Sequence, residues 1–243
     1  MNKHIDKVIR KLEIETAMFL IVAVIVFGGV AGIANGLKTK AADPVSEFSQ
    51  TVSGGILAAF VRNASRVVVG SPTVAFSGTT FSFDCLTGAD RTSGTLGTDS
   101  QRVYVDNPDA ADGGWNLTMT TTSTNTWTDG GSNKYDFNDA GGSGCTDGAD
   151  AGDTVGGQMN VDPQTSGDII EDYSGSSEAN IALQTAASFI EGSTDIVTLV
   201  AATADSVDIW RGYFTGVTIK NTIPAEQTPA AYTLSFTITA TAI

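Results

Sequence analysis

The chain has 243 residues, with 27 Asp/Glu against 13 Lys/Arg and a formal net charge of −14. Residues 1–42 hold six of the basic residues and the sole histidine, His4, beside three acids, so residues 43–243 carry seven Lys/Arg, 24 Asp/Glu and no histidine, a net charge near −17. Such a body has no basic stripe for phosphates or anionic headgroups, which excludes nucleic acid as a partner and confines membrane contact to residues 17–37.

Ala17 to Leu37 (AMFLIVAVIVFGGVAGIANGL) contains no charged residue. As a helix rising about 1.5 Å per residue, it is long enough for a hydrocarbon core of about 30 Å. The net basic stretch before it is predicted to stay inside. Thr39 and Ala41 put small residues at −3 and −1 of a cleavage point before Ala42, so residues 1–42 read first as a signal peptide. An uncleaved membrane anchor and a type IV pilin stem are the alternatives, although the core has no Glu of the kind a pilin stem needs. Each reading places the body outside the cytoplasm, at the cell surface or in the cell wall.

Residues 43–65 are expected to form a linker, a short helix or a first strand. The region 66–243 is expected to be one all-β, β-sandwich-like surface domain, because Thr- and Val-rich runs alternate with Gly, Asp, Ser and Pro turns. Strands are predicted at Arg66–Val69, Thr73–Phe76, Thr80–Phe83, Gln101–Val105 and Trp115–Thr121, the last two with clear period-two alternation. Residues 129–177 are read as an acidic loop insertion on the rim, with nine acids and no Lys, Arg or His between Asp136 and Asp172. Glu178–Ile190 suits a helix or a strand. Asp195–Ala202, Gly212–Lys220 and Ala231–Ala240 are predicted strands.

The two cysteines, Cys85 and Cys145, are expected to pair as a disulfide in an exported chain, with two free thiols as the alternative. Without a histidine in the body, Ser-His, Cys-His and zinc arrangements are not available there, so no enzyme is expected. Asp147, Asp150 and Asp153 are weak calcium candidates. Oxygen ligands in a Gly-rich loop suit a hard cation, but a spacing of three departs from the alternating positions of an EF-type loop. Solvated turns are the alternative, and no other cofactor is expected. Asn63-Ala-Ser65 and Asn116-Leu-Thr118 match the glycosylation sequon, a pattern that arises readily by chance in a Thr-rich chain.

The stretch Gln101–Thr120 (QRVYVDNPDAADGGWNLTMT) has a strand ending in Val-x-Asp at Val103–Asp106, a turn over Asn107–Gly113, and then Gly114-Trp115-Asn116-Leu117. It resembles the first signature of the WxL domain, a Gram-positive cell-surface module. Ile223-Pro224-Ala225 followed by Tyr232 to Ile238 resembles its second signature, with Phe236-Thr237-Ile238 standing where the family has Trp-x-Leu. The resemblance implies a β-sandwich-like domain held non-covalently on a cell-wall polymer or on other surface proteins. Trp115, Leu117, Phe236 and Ile238 would be its binding residues, and burial in the core is the alternative for Trp115 and Leu117. The expected function is therefore non-enzymatic attachment or display at the cell surface. A self-assembling pilin-like or surface-layer subunit, or an adhesin, is the second reading. No Leu-Pro-x-Thr-Gly sorting motif is present, so covalent anchoring is not expected.

Overall fold

The structure is a computed structural model that describes residues 55–108, 113–121, 125–148, 155–173, 177–204 and 209–243. The predicted helix Ala17–Leu37 and the cleavage position after Ala41 lie outside these residues. Among the described residues no helix is long and apolar enough to cross a membrane.

The described part is all-β, with every strand pairing antiparallel. One sheet has the order β1 (Ala58–Arg62), β3 (Arg102–Asn107), β12 (Trp210–Thr215) and β8 (Asp168–Glu171). A second runs β10 (Ala187–Ser188), β7 (Gln158–Asp162), β13 (Val217–Thr222) and β2 (Thr92–Leu96). A third runs β14 (Thr237–Ala242), β4 (Trp115–Thr120), β11 (Ile196–Ala202) and β9 (Ile181–Leu183). The strands β5 (Trp127–Thr128) and β6 (Lys134–Tyr135) pair as a short hairpin. Single 3-10 turns occupy Gly88–Asp90 and Gly141–Ser143.

The first two sheets share one bent ribbon. β12 and β13 are separated only by Gly216, yet β12 pairs with β3 and β8 while β13 pairs with β2 and β7. The partner chains cross the same bend through residues 97–101 on one side and 163–167 on the other. Extra residues on the flanking strands let the central strand turn without breaking its ladders, as a bulge does.

The first and third sheets face each other across an aromatic layer. Trp115 of β4 lies 5.5 Å from Trp210 and 6.3 Å from Phe214, both on β12. Period-two alternation puts Trp115, Leu117 and Met119 of β4 inward with Asn116, Thr118 and Thr120 outward. At the far side of the core, Phe137, Phe189 and Phe236 form a second cluster with centroids 5.4–5.7 Å apart. On the outer face of the first sheet, Arg62 lies 4.2 Å over Phe60 and Arg102 lies 4.5 Å over Tyr213, which covers the rings with aliphatic stems and cation–π contacts.

Several expectations change. β1 belongs to the same sheet as β3, so the domain starts before Arg66, within the stretch read as linker or first strand. The runs Arg66–Val69, Thr73–Phe76 and Thr80–Phe83 form no strand and contribute only the bridges Arg62↔Val68 and Phe76↔Gly94. Gly-Ser-Pro and Ser-Gly interrupt them every few residues, and Pro72 has no N–H for a ladder. The interval 129–177 is more than a rim insertion: β6, β7 and β8 lie within it, and β7 sits inside the second sheet with Met159 and Val161 buried. Its alternation, Gln-Met-Asn-Val-Asp, is short and hidden between Gly-rich turns. Glu178–Ile190 resolves as the two short strands β9 and β10. Gly212–Lys220 is split by the sheet switch at Gly216. Ala231–Phe236 is extended and makes a single bridge, Thr128↔Thr233, before β14 begins.

Candidate functional site

The two signature stretches lie on neighbouring strands. β4 pairs with β14 so that Trp115 is opposite Ala242, Leu117 opposite Ala240 and Met119 opposite Ile238. Trp115 and Leu117 are 1% and 0% exposed, so both are core side chains that reach no surface ligand. Phe236 and Ile238 are half-buried and pack on the core, Phe236 against Phe137 and Phe189.

The outward face of the same strands is different in kind. Asn116, Thr118 and Thr120 alternate with the buried residues of β4, and Thr241, Thr239 and Thr237 stand directly opposite them on β14. Thr198 of β11 continues the row on the other side of Thr118. The result is a ladder of neutral hydroxyl and amide groups without a charged side chain at these positions. The Thr118 hydroxyl donates to the Thr239 carbonyl at 3.3 Å, and the Thr120 hydroxyl donates to the Asp195 carbonyl at 3.1 Å. These bonds hold the rotamers and leave the methyl groups and remaining oxygen lone pairs for a partner.

A deep cleft opens on the other side of Phe236. It encloses about 920 Å³ between the extended segments 72–82 and 227–238. Its floor is an aromatic cluster: Trp127 stacks on Tyr135 at 5.9 Å, Phe76 meets Trp127 edge-on at 5.3 Å, and Tyr232 meets Tyr135 at 5.0 Å. Asn221 Nδ2 donates to the Tyr135 hydroxyl at 2.9 Å. Burial pushes the Tyr135 phenol above its usual range, with the Asn221 bond acting in the opposite direction. No Lys, Arg, His, Asp or Glu is present among the described residues that line the cleft. In a body so rich in acids, that is a selective omission.

The sequence reading missed this cluster. Phe76, Trp127, Tyr135, Asn221 and Tyr232 are scattered over the chain: the β5–β6 hairpin pairs Trp127 with Tyr135, the Thr128↔Thr233 bridge brings in the segment of Tyr232, the Phe76↔Gly94 bridge places Phe76, and Asn221 comes on β13. No local motif announces them.

Cys85 and Cys145 are joined by a disulfide, with Cα atoms 5.7 Å apart. Of the calcium candidates, Asp147 is exposed, while Asp150 and Asp153 lie outside the described residues. Among the described residues no three metal-ligating side chains gather. The acidic interval does contain two buried carboxylates that the sequence reading did not single out, Asp136 and Asp139, 1% and 2% exposed. Amide donors hold them. Asp136 Oδ1 accepts from the Phe137 N–H at 2.6 Å, and the Asn138 side-chain amide donates to both Asp136 oxygens at 2.7 and 2.8 Å. Asp139 Oδ1 accepts from the Gly148 N–H at 2.6 Å. The spacing of Asp136, Asn138 and Gln158, which bridges to Asn138, suits a loop braced from inside.

No family model, curated protein or solved structure matches the chain.

Proposed function

We propose that this protein is exported and works without chemistry, attaching to a cell-wall polymer or to other surface proteins, or displaying its β-domain there. The observation that carries the reading is the neutral ladder Asn116, Thr118, Thr120 with Thr241, Thr239, Thr237 on the two strands that bear the WxL-like motifs. A surface of hydroxyls and methyls suits a neutral, hydroxyl-rich polymer, and the acidic remainder of the body disfavours phosphates and anionic lipids. The Cys85–Cys145 disulfide supports an oxidising address. Buried Trp115 acts in this reading by holding β4 flat against the core.

Fractionation of producing cells, combined with co-sedimentation on purified Gram-positive cell walls, tests it. The full chain is expected in the wall fraction and to be released by denaturant. A double substitution, Thr118→Lys with Thr239→Glu, is expected to weaken wall association at least about tenfold without lowering the melting temperature. Equal sedimentation of both proteins, or none of either, would sink the reading.

The second reading, a self-assembling subunit, draws on the exposed apolar residues Val67, Val68, Phe81 and Phe83, of which Phe81 and Phe83 touch edge to face at 5.0 Å. Sheets or filaments of the purified chain in electron micrographs would favour it.

A further inference from the structure

We infer that the cleft between segments 72–82 and 227–238 is a binding site for an uncharged, largely apolar molecule carrying one hydroxyl group, a long-chain alcohol being its simplest form. The inference stands apart from the attachment function and does not depend on it.

The volume comes first. Protein interiors pack as densely as organic crystals, and voids larger than a water molecule are few. A space of about 920 Å³ is the size of a small-molecule site. Its lining is uncharged and mixed: Val74, Leu96, Met119, Met159, Ile219 and Leu234 bring apolar side chains, while Thr95, Gln101 and Gln227 are among those that bring hydroxyls and amides. The apolar part of such a lining gains from contact with hydrocarbon.

The floor supplies the polar half of the argument. Asn221 is 1% exposed, and although its Nδ2 serves Tyr135, its Oδ1 accepts no hydrogen bond. Trp127 is 8% exposed, and its Nε1 donates none. Both residues line the cleft, and they belong to one cluster because Tyr135 stacks on Trp127 while bonding to Asn221. An unmade buried donor and an unmade buried acceptor are each costly. A hydroxyl is both donor and acceptor, so it is the simplest ligand group whose chemistry suits either atom.

The omissions narrow the class further. A carboxylate would find no cation in the lining and would enter an acidic body. A cationic amphiphile would find no acid in the lining. A sugar would bring a hydroxyl on nearly every carbon, and those that meet the apolar part of the lining would carry a desolvation cost.

The test uses the full chain in detergent and a diazirine-bearing 1-hexadecanol, with the labelled positions mapped by peptide mass spectrometry. Label is expected within 72–82 and 224–238, displaced by excess 1-hexadecanol and by neither hexadecanoate nor chitotriose. Trp127→Phe keeps an aromatic ring, smaller than the indole, and removes the donor. It is expected to lower cleft labelling about fivefold to tenfold, the worth of one hydrogen bond. Leu234→Trp fills the cleft from its half-buried rim and is expected to abolish the label there with the melting temperature retained. Label confined to Ala17–Leu37 would overturn the inference. So would equal displacement by hexadecanoate, displacement by chitotriose, or undiminished cleft labelling in Leu234→Trp. Wall association, measured separately, is expected to be unchanged in both variants.

Discussion

The N–H of Gly216 donates to the carbonyl of Gly97 at 3.1 Å, and both residues have positive φ, +74° and +80°. This contact marks the point where the central strand leaves one sheet and enters the next. A Cβ on Gly216 would lie 2.1 Å from the Ser166 carbonyl oxygen, and one on Gly97 would lie 2.7 Å from that of Phe214. Neither neighbour is the flexible end of a side chain. The corner is therefore closed to any residue with a side chain, for reasons of both backbone conformation and space.

Gly216→Ala is accordingly expected to destabilise by about 2 kcal/mol or more, combining left-handed strain with the collision against backbone. For a domain of this size each kcal/mol moves the melting temperature by about 2–4 °C. Thermal unfolding followed by circular dichroism measures it, and an unchanged midpoint would contradict the account of the corner.

Trp115 and Phe236 separate packing from binding. Trp115→Ala is expected to cost about 3–5 kcal/mol, because a fully buried ring in contact with Trp210 and Phe214 leaves a cavity. Phe236→Ala, at a half-buried position beside the cleft, is expected to cost less. Comparing urea midpoints for the two variants decides the order. A Trp115→Ala protein as stable as the wild type would return that residue to the list of surface-binding candidates.

The disulfide closes a span of 60 residues. On the chain-entropy account, replacing Cys85 and Cys145 together by Ser is expected to lower stability by about 4 kcal/mol. Reduction of the wild type is expected to produce a comparable shift in the midpoint. A double variant with an unshifted midpoint would show that the reduced chain is held just as firmly by its sheets.

Tyr135 and Asp162 contribute to the pH dependence of stability at opposite ends. Burial raises the Tyr135 phenol above its unfolded value of about 10. The unfolded chain therefore releases that proton first, and stability present below about pH 10 is lost as pH rises beyond it. Asp162 goes the other way: the Thr165 hydroxyl, donating at 2.6 Å, leads the contacts that lower its carboxyl. Its contribution is present above about pH 4 and is lost as pH falls through the depressed value. Melting curves from pH 2 to 11 are expected to show Tyr135→Phe flattening the alkaline limb and Asp162→Asn flattening the acid one. Because Asp162 is only half-buried, whereas Tyr135 is buried, its effect is the smaller and shrinks with added salt.

The sequence alone was enough for the all-β class and for the strands containing Val103, Trp115, Val197 and Ile238. These depend on local alternation and composition, which act over a few residues. For the two cysteines it left a disulfide and two free thiols both open, and the fold decided the matter by bringing Cys85 and Cys145, 60 residues apart, to a Cα separation of 5.7 Å. Alternation also predicts that Trp115 and Leu117 share a face, but it cannot say whether that face meets a ligand or another sheet. The tertiary structure decided this by placing Trp210 and Phe214 opposite Trp115. It also decided that Gly216 divides one predicted strand between two sheets, and that the β-like runs from Arg66 to Phe83 find almost no ladder. The cleft is the extreme case: Trp127 and Tyr135 meet through a local hairpin, but Phe76, Asn221 and Tyr232 join them only through contacts far apart in the chain. Which strand pairs with which depends on long-range packing and loop closure, and neither leaves a mark on any single short stretch of sequence.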